Sequence, residues 1–348
     1  MKKRLKPAVK KIIIIVGAIA AVLVAVGTYV IVDEYQYRFS AAILRNCELK
    51  IYPGQTLEDV ADALGAEGYI ASAAKMKRTA REQDKDSVAV GYYTFNKGIS
   101  YRTLLTYICA GHQSVVKMTF NNIRTLDQLA TRVARYTLAS KDDFMSQFTQ
   151  EATDSGDSEN YISYFMPNTY EVYWTITPAE FTAMMREEYA DFWDSKGRRS
   201  KAEDLGLTPH EVMTLASIVI EETKAEQEMT AVAGVYVNRL RKKMPLQADP
   251  TVKFAVGDFS LRRITGKHLR YKSPYNTYLN AGLPPGPICV PPSVAIDAVL
   301  DYVDNEHKWI YFCANADFSG THAFASSWGD HLRNAAAYHR ELNRRKIR

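Results

Sequence analysis

Cysteine is scarce in this chain of 348 residues: Cys47, Cys109, Cys289 and Cys313 are the only four, and no two make a CxxC pair. That spacing excludes the common zinc-ribbon and dithiol redox motifs. It leaves open a Cys47–Cys109 or Cys289–Cys313 bridge, beside the plainer reading of each as a small buried hydrophobe. Tight metal-ligand spacing is missing too. His331 and His339 are eight residues apart and no HExxH occurs, so no metal site is expected. The body of the chain also lacks an excess of positive charge. Lys and Arg total 44 against 39 Asp and Glu, but Lys2, Lys3, Arg4, Lys6, Lys10 and Lys11 crowd the first eleven residues. Removing those six leaves 38 positive against 39 negative, which argues against nucleic acid as a partner. With 47% hydrophobic and 24% charged residues, the composition is globular, and the length predicts two domains.

One long apolar run is present. Ile12–Val32 holds 21 residues without a charge, enough helix to cross roughly 30 Å of hydrocarbon. A cleaved signal peptide would have a shorter run and a small-residue cleavage site. Here Tyr29-Val30-Ile31-Val32 leads straight into Asp33-Glu34, which favours an uncleaved anchor. The basic flank predicts a cytoplasmic tail (1–11), a transmembrane helix (12–32) and an extracytoplasmic body by the positive-inside rule. A helical stretch is expected to continue to about Asn46.

Beyond it, Leu49 and Ile51 alternate as a strand, Pro53-Gly54 turns, Thr56 is a helix cap, and Leu57, Val60, Ala61 and Leu64 form a stripe. Tyr92–Phe95 reads as a strand and Ser100–Cys109 as a helix. Lys117–Phe120 followed by Thr125-Leu126 repeats the strand-then-helix pattern. Units of this kind resemble the LysM-type carbohydrate-binding module, giving a LysM-like α/β subdomain over 47–115 and a catalytic domain over 116–348. The fold class expected is α+β. Gln150–Asn160, rich in Ser, Asp, Gly and Glu, reads as an exposed loop. The aromatics from Tyr161 to Trp174 suit either a core or sugar stacking. Trp309–Cys313 reads as a buried strand, and a solvated basic tail closes the chain from Arg344.

Thr208-Pro209-His210-Glu211 is a strong helix start, with a capping box and proline in the first turn. At 100° per residue Glu222 falls beside Leu215 and Ile218 at the edge of the apolar face, whereas Glu221 points to solvent with Thr214 and Ser217. A half-buried carboxyl resists ionisation and is suited to general-acid work near neutral pH. The alternative is a structural Glu222 paired with a buried arginine such as Arg239.

Leu215–Thr223, Val237-Asn238-Arg239-Leu240, Leu246–Val252, Tyr275–Tyr278 and Gly282–Ile288 occur in that order within about 75 residues. The set resembles the YceG-like family of endolytic murein transglycosylases. Phe165–Tyr170 is similar to another family segment, with Asn168 where Asp is usual, and Ile220 stands where a glutamate often precedes the catalytic one. The resemblance implies cleavage of the β-1,4 bond between N-acetylmuramic acid and N-acetylglucosamine, with 1,6-anhydro ends. It makes Glu222 the catalytic acid and base, with no cofactor. It offers Glu228, Asn238, Gln247, Asp249, Tyr275, Asn276 and Tyr278 as substrate-binding candidates, and places His322 and His331 with Asn334 near the groove. Each of these also reads as structural: Asp249 before Pro250 is a turn former, and Asn238-Arg239 could brace a helix. The implied location is the cell (inner) membrane, the partners peptidoglycan strands and, as candidates, peptidoglycan synthases. A glycan-binding scaffold without chemistry, or a hydrolase pairing Glu222 with Asp249, are the rivals.

Overall fold

The structure, a computed structural model, describes residues 7–39, 41–261 and 263–345; most of the basic N-terminal tail and the last three residues lie outside them. Two compact units emerge, one of residues 1–116 with 172–175, the other of 117–171 with 176–348.

The first unit begins with helix α1 (Pro7–Phe39). Within it, Ile13–Asp33 has a mean hydropathy of 2.6 and buries nothing against the protein. It is long and apolar enough to cross a membrane. The helix stops at Phe39 rather than near Asn46, because the next residues turn extended and pair elsewhere, Ala41 with Ser100 and Ile43 with Ile70. Strand β1 (Cys47–Ile51), helices α2 (Leu57–Ala66) and α3 (Ala73–Glu82), strand β2 (Gly91–Phe95) and helix α4 (Tyr101–Ala110) follow. β1 and β2 are antiparallel, with Cys47 opposite Phe95 and Ile51 opposite Gly91. The strand period of two turns Cys47, Leu49, Ile51, Tyr93 and Phe95 inward onto Leu57, Val60, Leu64 and Leu104. Each such aliphatic contributes roughly 1.5–3 kcal/mol by burial. Thr56 caps α2 through a full capping box with Asp59. Trp174 packs edge-on to Tyr52 at 5.1 Å.

The second unit comprises most of β3 (Val115–Phe120), α5 (Leu126–Val133), α6 (Lys141–Asp154), most of β4 (Asn168–Tyr173), α7 (Pro178–Asp194), α8 (Arg198–Leu205), α9 (Pro209–Glu222), α10 (Glu226–Arg241), α11 (Asp249–Val256), α12 (Gly266–Leu269), α13 (Ser293–Leu300), β5 (Tyr311–Ala314), β6 (His322–Ala325) and α14 (Trp328–Arg344). Its sheets are two-stranded pairs, β3 with β4 and β5 with β6. The mixture is α+β. α6 runs five residues, 150–154, into the segment expected to be a loop. Glu151 holds it there, accepting hydrogen bonds from Gln147, Tyr161, Thr182 and Arg186; those donors pull its carboxyl down to about 2 against the cost of burial. Most of the 161–174 aromatics are core: Tyr161, Phe165, Tyr170 and Trp174 are buried, and only Tyr173 among them is strongly exposed. β5 is half-exposed rather than buried, since one short hairpin cannot cover both of its faces.

α9 is the centre of this unit. Every residue from Val212 to Val219 is buried, so the helix is wrapped on all sides, chiefly by α10 and α13. Ser217, polar inside that run, accepts the Ile288 N–H at 3.0 Å and ties the 282–288 loop to the helix. At Gly234 in α10 a side chain would run into the Tyr302 ring and the His307 imidazole, so glycine is what lets that helix dock so closely. Arg198, buried, makes a bidentate pair with Asp297 of α13 at 2.6 and 3.0 Å. All four cysteines are free thiols.

Candidate active site

α9 ends at Glu222 because Thr223 swings to extended backbone (φ −137°), its N–H still reaching Val219 O. The carboxyl therefore projects from a helix C-terminus, where the macrodipole already disfavours negative charge. Glu222 is half-buried and opens into a cavity of about 250 Å³, lined also by Tyr236, Arg239, Gln247, Asp249, Tyr278 and Phe312. Tyr236 Oη, from α10, donates to Glu222 Oε1 at 2.9 Å; Oε2 makes no hydrogen bond among the described residues. Burial pushes the Glu222 carboxyl up to about 7, with the negative charge of Asp249 pushing the same way against the Tyr236 hydrogen bond and the Lys253 and Arg239 charges. Near neutral pH both its protonated and its ionised forms are within reach.

Tyr236 itself is buried, and both its surroundings and the neighbouring carboxylate hold its phenol protonated, well above the usual range. With its proton retained, it is placed to donate to the Glu222 carboxylate. Arg239 does not pair with Glu222. Its Nε donates to Ile310 O at 2.8 Å and its Nη1 to Leu246 O at 2.7 Å, so three chain segments meet on one guanidinium. Asp249, exposed and first in α11, accepts from Tyr278 Oη at 2.7 Å. The following Thr251 is buried and bonds Ala248 O and Thr277.

Of the residues singled out by sequence, Glu222, Gln247, Asp249 and Tyr278 share the cavity. Glu228 lies elsewhere, accepting from the His322 backbone N–H at 2.7 Å and facing His322 Nδ1 at 3.2 Å. Asn238 bonds His307 O and Trp309 O and accepts from Tyr302. Asn276 is buried, gripping Leu269 O and Tyr271 O, and Tyr275 packs on Phe254. These side chains brace the loops around the cavity. Glu221 is half-buried and paired rather than pointing freely to solvent: Arg124 Nη2 donates to it at 2.8 Å, across 97 residues of sequence. Tyr236 and Phe312 escaped the sequence reading, and no local pattern marks either, since both arrive by packing of distant elements. Asn334 reaches Phe324 O rather than the cavity.

A carboxyl pushed up to about 7 by burial, inside a polar cavity, is suited to proton transfer, here on an α+β frame. The match is specific: residues 49–337 fit the model of the YceG-like family, and the chain belongs to that family. A Bacillus subtilis protein named endolytic murein transglycosylase is 27% identical over 83% of this chain and 84% of its own length. One of the same name from Streptococcus pneumoniae is 25% identical over 87% of this chain but only 61% of its own. A crystal structure of a YceG-like protein from Listeria monocytogenes shares the fold, with a TM-score of 0.53, 24% identity, and coverage of 83% of this chain and 99% of that one.

Proposed function

We propose that this protein is an endolytic murein transglycosylase, a lyase that cuts the β-1,4 bond between N-acetylmuramic acid and N-acetylglucosamine in peptidoglycan strands. The observation that carries this reading is Glu222: a carboxyl raised to about 7, in a cavity, in a member of the YceG-like family. With Oε1 held by Tyr236, the other oxygen is the one free to deliver its proton to the glycosidic oxygen as the C1–O4 bond breaks. The resulting carboxylate then takes the proton of the muramyl C6 hydroxyl while that oxygen bonds to C1. A 1,6-anhydro ring closes, a free 4-hydroxyl leaves, and Glu222 ends protonated as it began. Because the substrate supplies its own nucleophile, a second carboxylate is not needed, unlike in ordinary glycosidases. Asp249 then serves to raise Glu222 rather than to attack.

α1 serves as a single membrane anchor with the N-terminus cytoplasmic, supported by its apolar length and the basic residues before it. Held there, the enzyme meets strands as they emerge and limits their length. The strand–helix–helix–strand order of β1, α2, α3 and β2 supports a LysM-like glycan-binding role for 47–115.

The test is mass spectrometry of peptidoglycan strands incubated with the full chain. Anhydro-muramyl ends from the wild type and none from Glu222→Gln are expected. Reducing ends would mean a hydrolase and turn attention to Asp249; no cleavage by the wild type would leave a binding scaffold.

A further inference from the structure

The β5–β6 hairpin has two faces with different neighbours. Phe312 turns to the Glu222 cavity, and the adjacent Tyr311 points the other way, toward α14, as the strand period requires. There it meets Trp328 at 5.5 Å between ring centroids and His331 at 5.3 Å, while Trp328 and His331 lie 5.1 Å apart. Three rings thus support one another, yet Trp328 remains 57% exposed. An indole held in place by two neighbours and still open to solvent is a preformed surface. Its position is set by Ser327, whose hydroxyl caps α14 by accepting the Asp330 N–H at 3.1 Å.

The patch is joined to the cavity. Arg239 lines the cavity, and its guanidinium carbon lies 5.4 Å from the Tyr311 ring centroid. The same side chain fixes the backbone of Ile310, next to Tyr311. Arg239 is only 9% exposed and has no carboxylate partner among the described residues. Arg239 therefore ties the two faces of the hairpin together through the protein, with polar groups around Glu222 on one face and the aromatic Tyr311 and Trp328 on the other. This alternation suits one polymer: pyranose rings present C–H faces for aromatic stacking and hydroxyls around their rim for polar side chains.

We propose that Trp328, backed by Tyr311 and His331, is a stacking subsite for a sugar ring of the glycan strand some way along from the bond at Glu222. The proposal rests on the glycan-cutting reading above and adds to it the means of gripping a strand internally. An enzyme that cuts within a polymer must hold sugars beyond the two it separates, and a subsite that grips such a unit equally before and during the cut tightens binding without changing the chemical step.

The experiment compares full-length protein in detergent, all in the Glu222→Gln background, for binding of purified peptidoglycan glycan strands. Trp328→Ala is expected to weaken binding about tenfold and Trp328→Phe no more than about threefold. With Glu222 restored, Trp328→Ala should raise KM and leave kcat nearly unchanged, the mark of lost uniform binding. Strands that bind Glu222→Gln tightly but are indifferent to Trp328→Ala would overturn the subsite while leaving the enzyme reading intact. Strands that fail to bind Glu222→Gln at all, with no cleavage by the wild type, would overturn both. If Trp328→Ala instead abolishes self-association in sedimentation, or binding to anionic lipid vesicles, without altering strand affinity, the patch belongs to a second copy or to the bilayer and the proposal fails.

Discussion

Glu221 and Glu222 are bonded neighbours at the end of one helix, yet they live in different chemistry. Glu221 meets the guanidinium of Arg124 at 2.8 Å and the ammonium of Lys224 at 3.5 Å. Glu222 meets a phenol, a second carboxylate nearby and a cavity. A charge partner makes the first a tie between two chain segments. Burial beside a neutral donor makes the other a proton carrier. Position on the helix, 100° apart, decides which of the two each becomes.

The comparison is broken most severely by Glu222→Gln, which should lower strand cleavage by a factor of at least about 10³, while Glu221→Gln costs only the ion pair, on the order of 1 kcal/mol of stability, and leaves most activity. Counting anhydro ends in both variants, alongside their melting temperatures, checks this; equal loss of activity in the two would end the distinction. The next effect is on stability itself. Folding raises the Glu222 carboxyl from 4.5 to about 7, so the native state binds the proton more tightly than the unfolded one. Stability is therefore lost as pH climbs from about 4.5 through 7 and stays lost above. The full cost is roughly 3 kcal/mol. Glu222→Gln should therefore melt at a higher temperature than wild type at pH 8 and at nearly the same temperature at pH 4.

Two smaller changes should move the pH profile in opposite directions. Activity that needs protonated Glu222 falls above about 7. Tyr236→Phe removes the donor that favours the carboxylate, so the alkaline limb should shift upward, with maximal kcat down about fivefold. Asp249→Asn removes a negative charge that favours the neutral acid, so the limb should shift downward, with only a few-fold change at the optimum. Complete loss of activity in Asp249→Asn would instead make it a direct participant.

What sequence reveals here is what is local. Thr56, Thr125 and Thr208 announce their helices because a capping hydroxyl acts within three residues. The edge position of Glu222 follows from helical period alone, and the ordered motifs from Leu215 to Ile288 carry the family. What stays hidden is made by contact between distant segments. Arg124 finds Glu221 across 97 residues, and Tyr236 finds Glu222 only because α9 and α10 pack side by side. Glu151 extends α6 into a run of loop-forming residues by collecting donors from α7 and from Tyr161. The aromatic rings between 161 and 174 could not be assigned to core or surface by composition, since an aromatic ring serves both equally.

Gly234 and Asn238 stand two residues to either side of Tyr236, and both face Tyr302. Glycine lets the helix backbone lie against that ring, and Asn238 accepts from its hydroxyl at 3.0 Å. Two residues along a helix is more than half a turn, so Tyr236 points out of the opposite side. The helix is clamped from behind at two points, like a rod in a vice, while the phenol reaches forward. The reach of the donor to the acid is thereby machined into the rear packing, and wear at the back of the helix would be felt as play at the front.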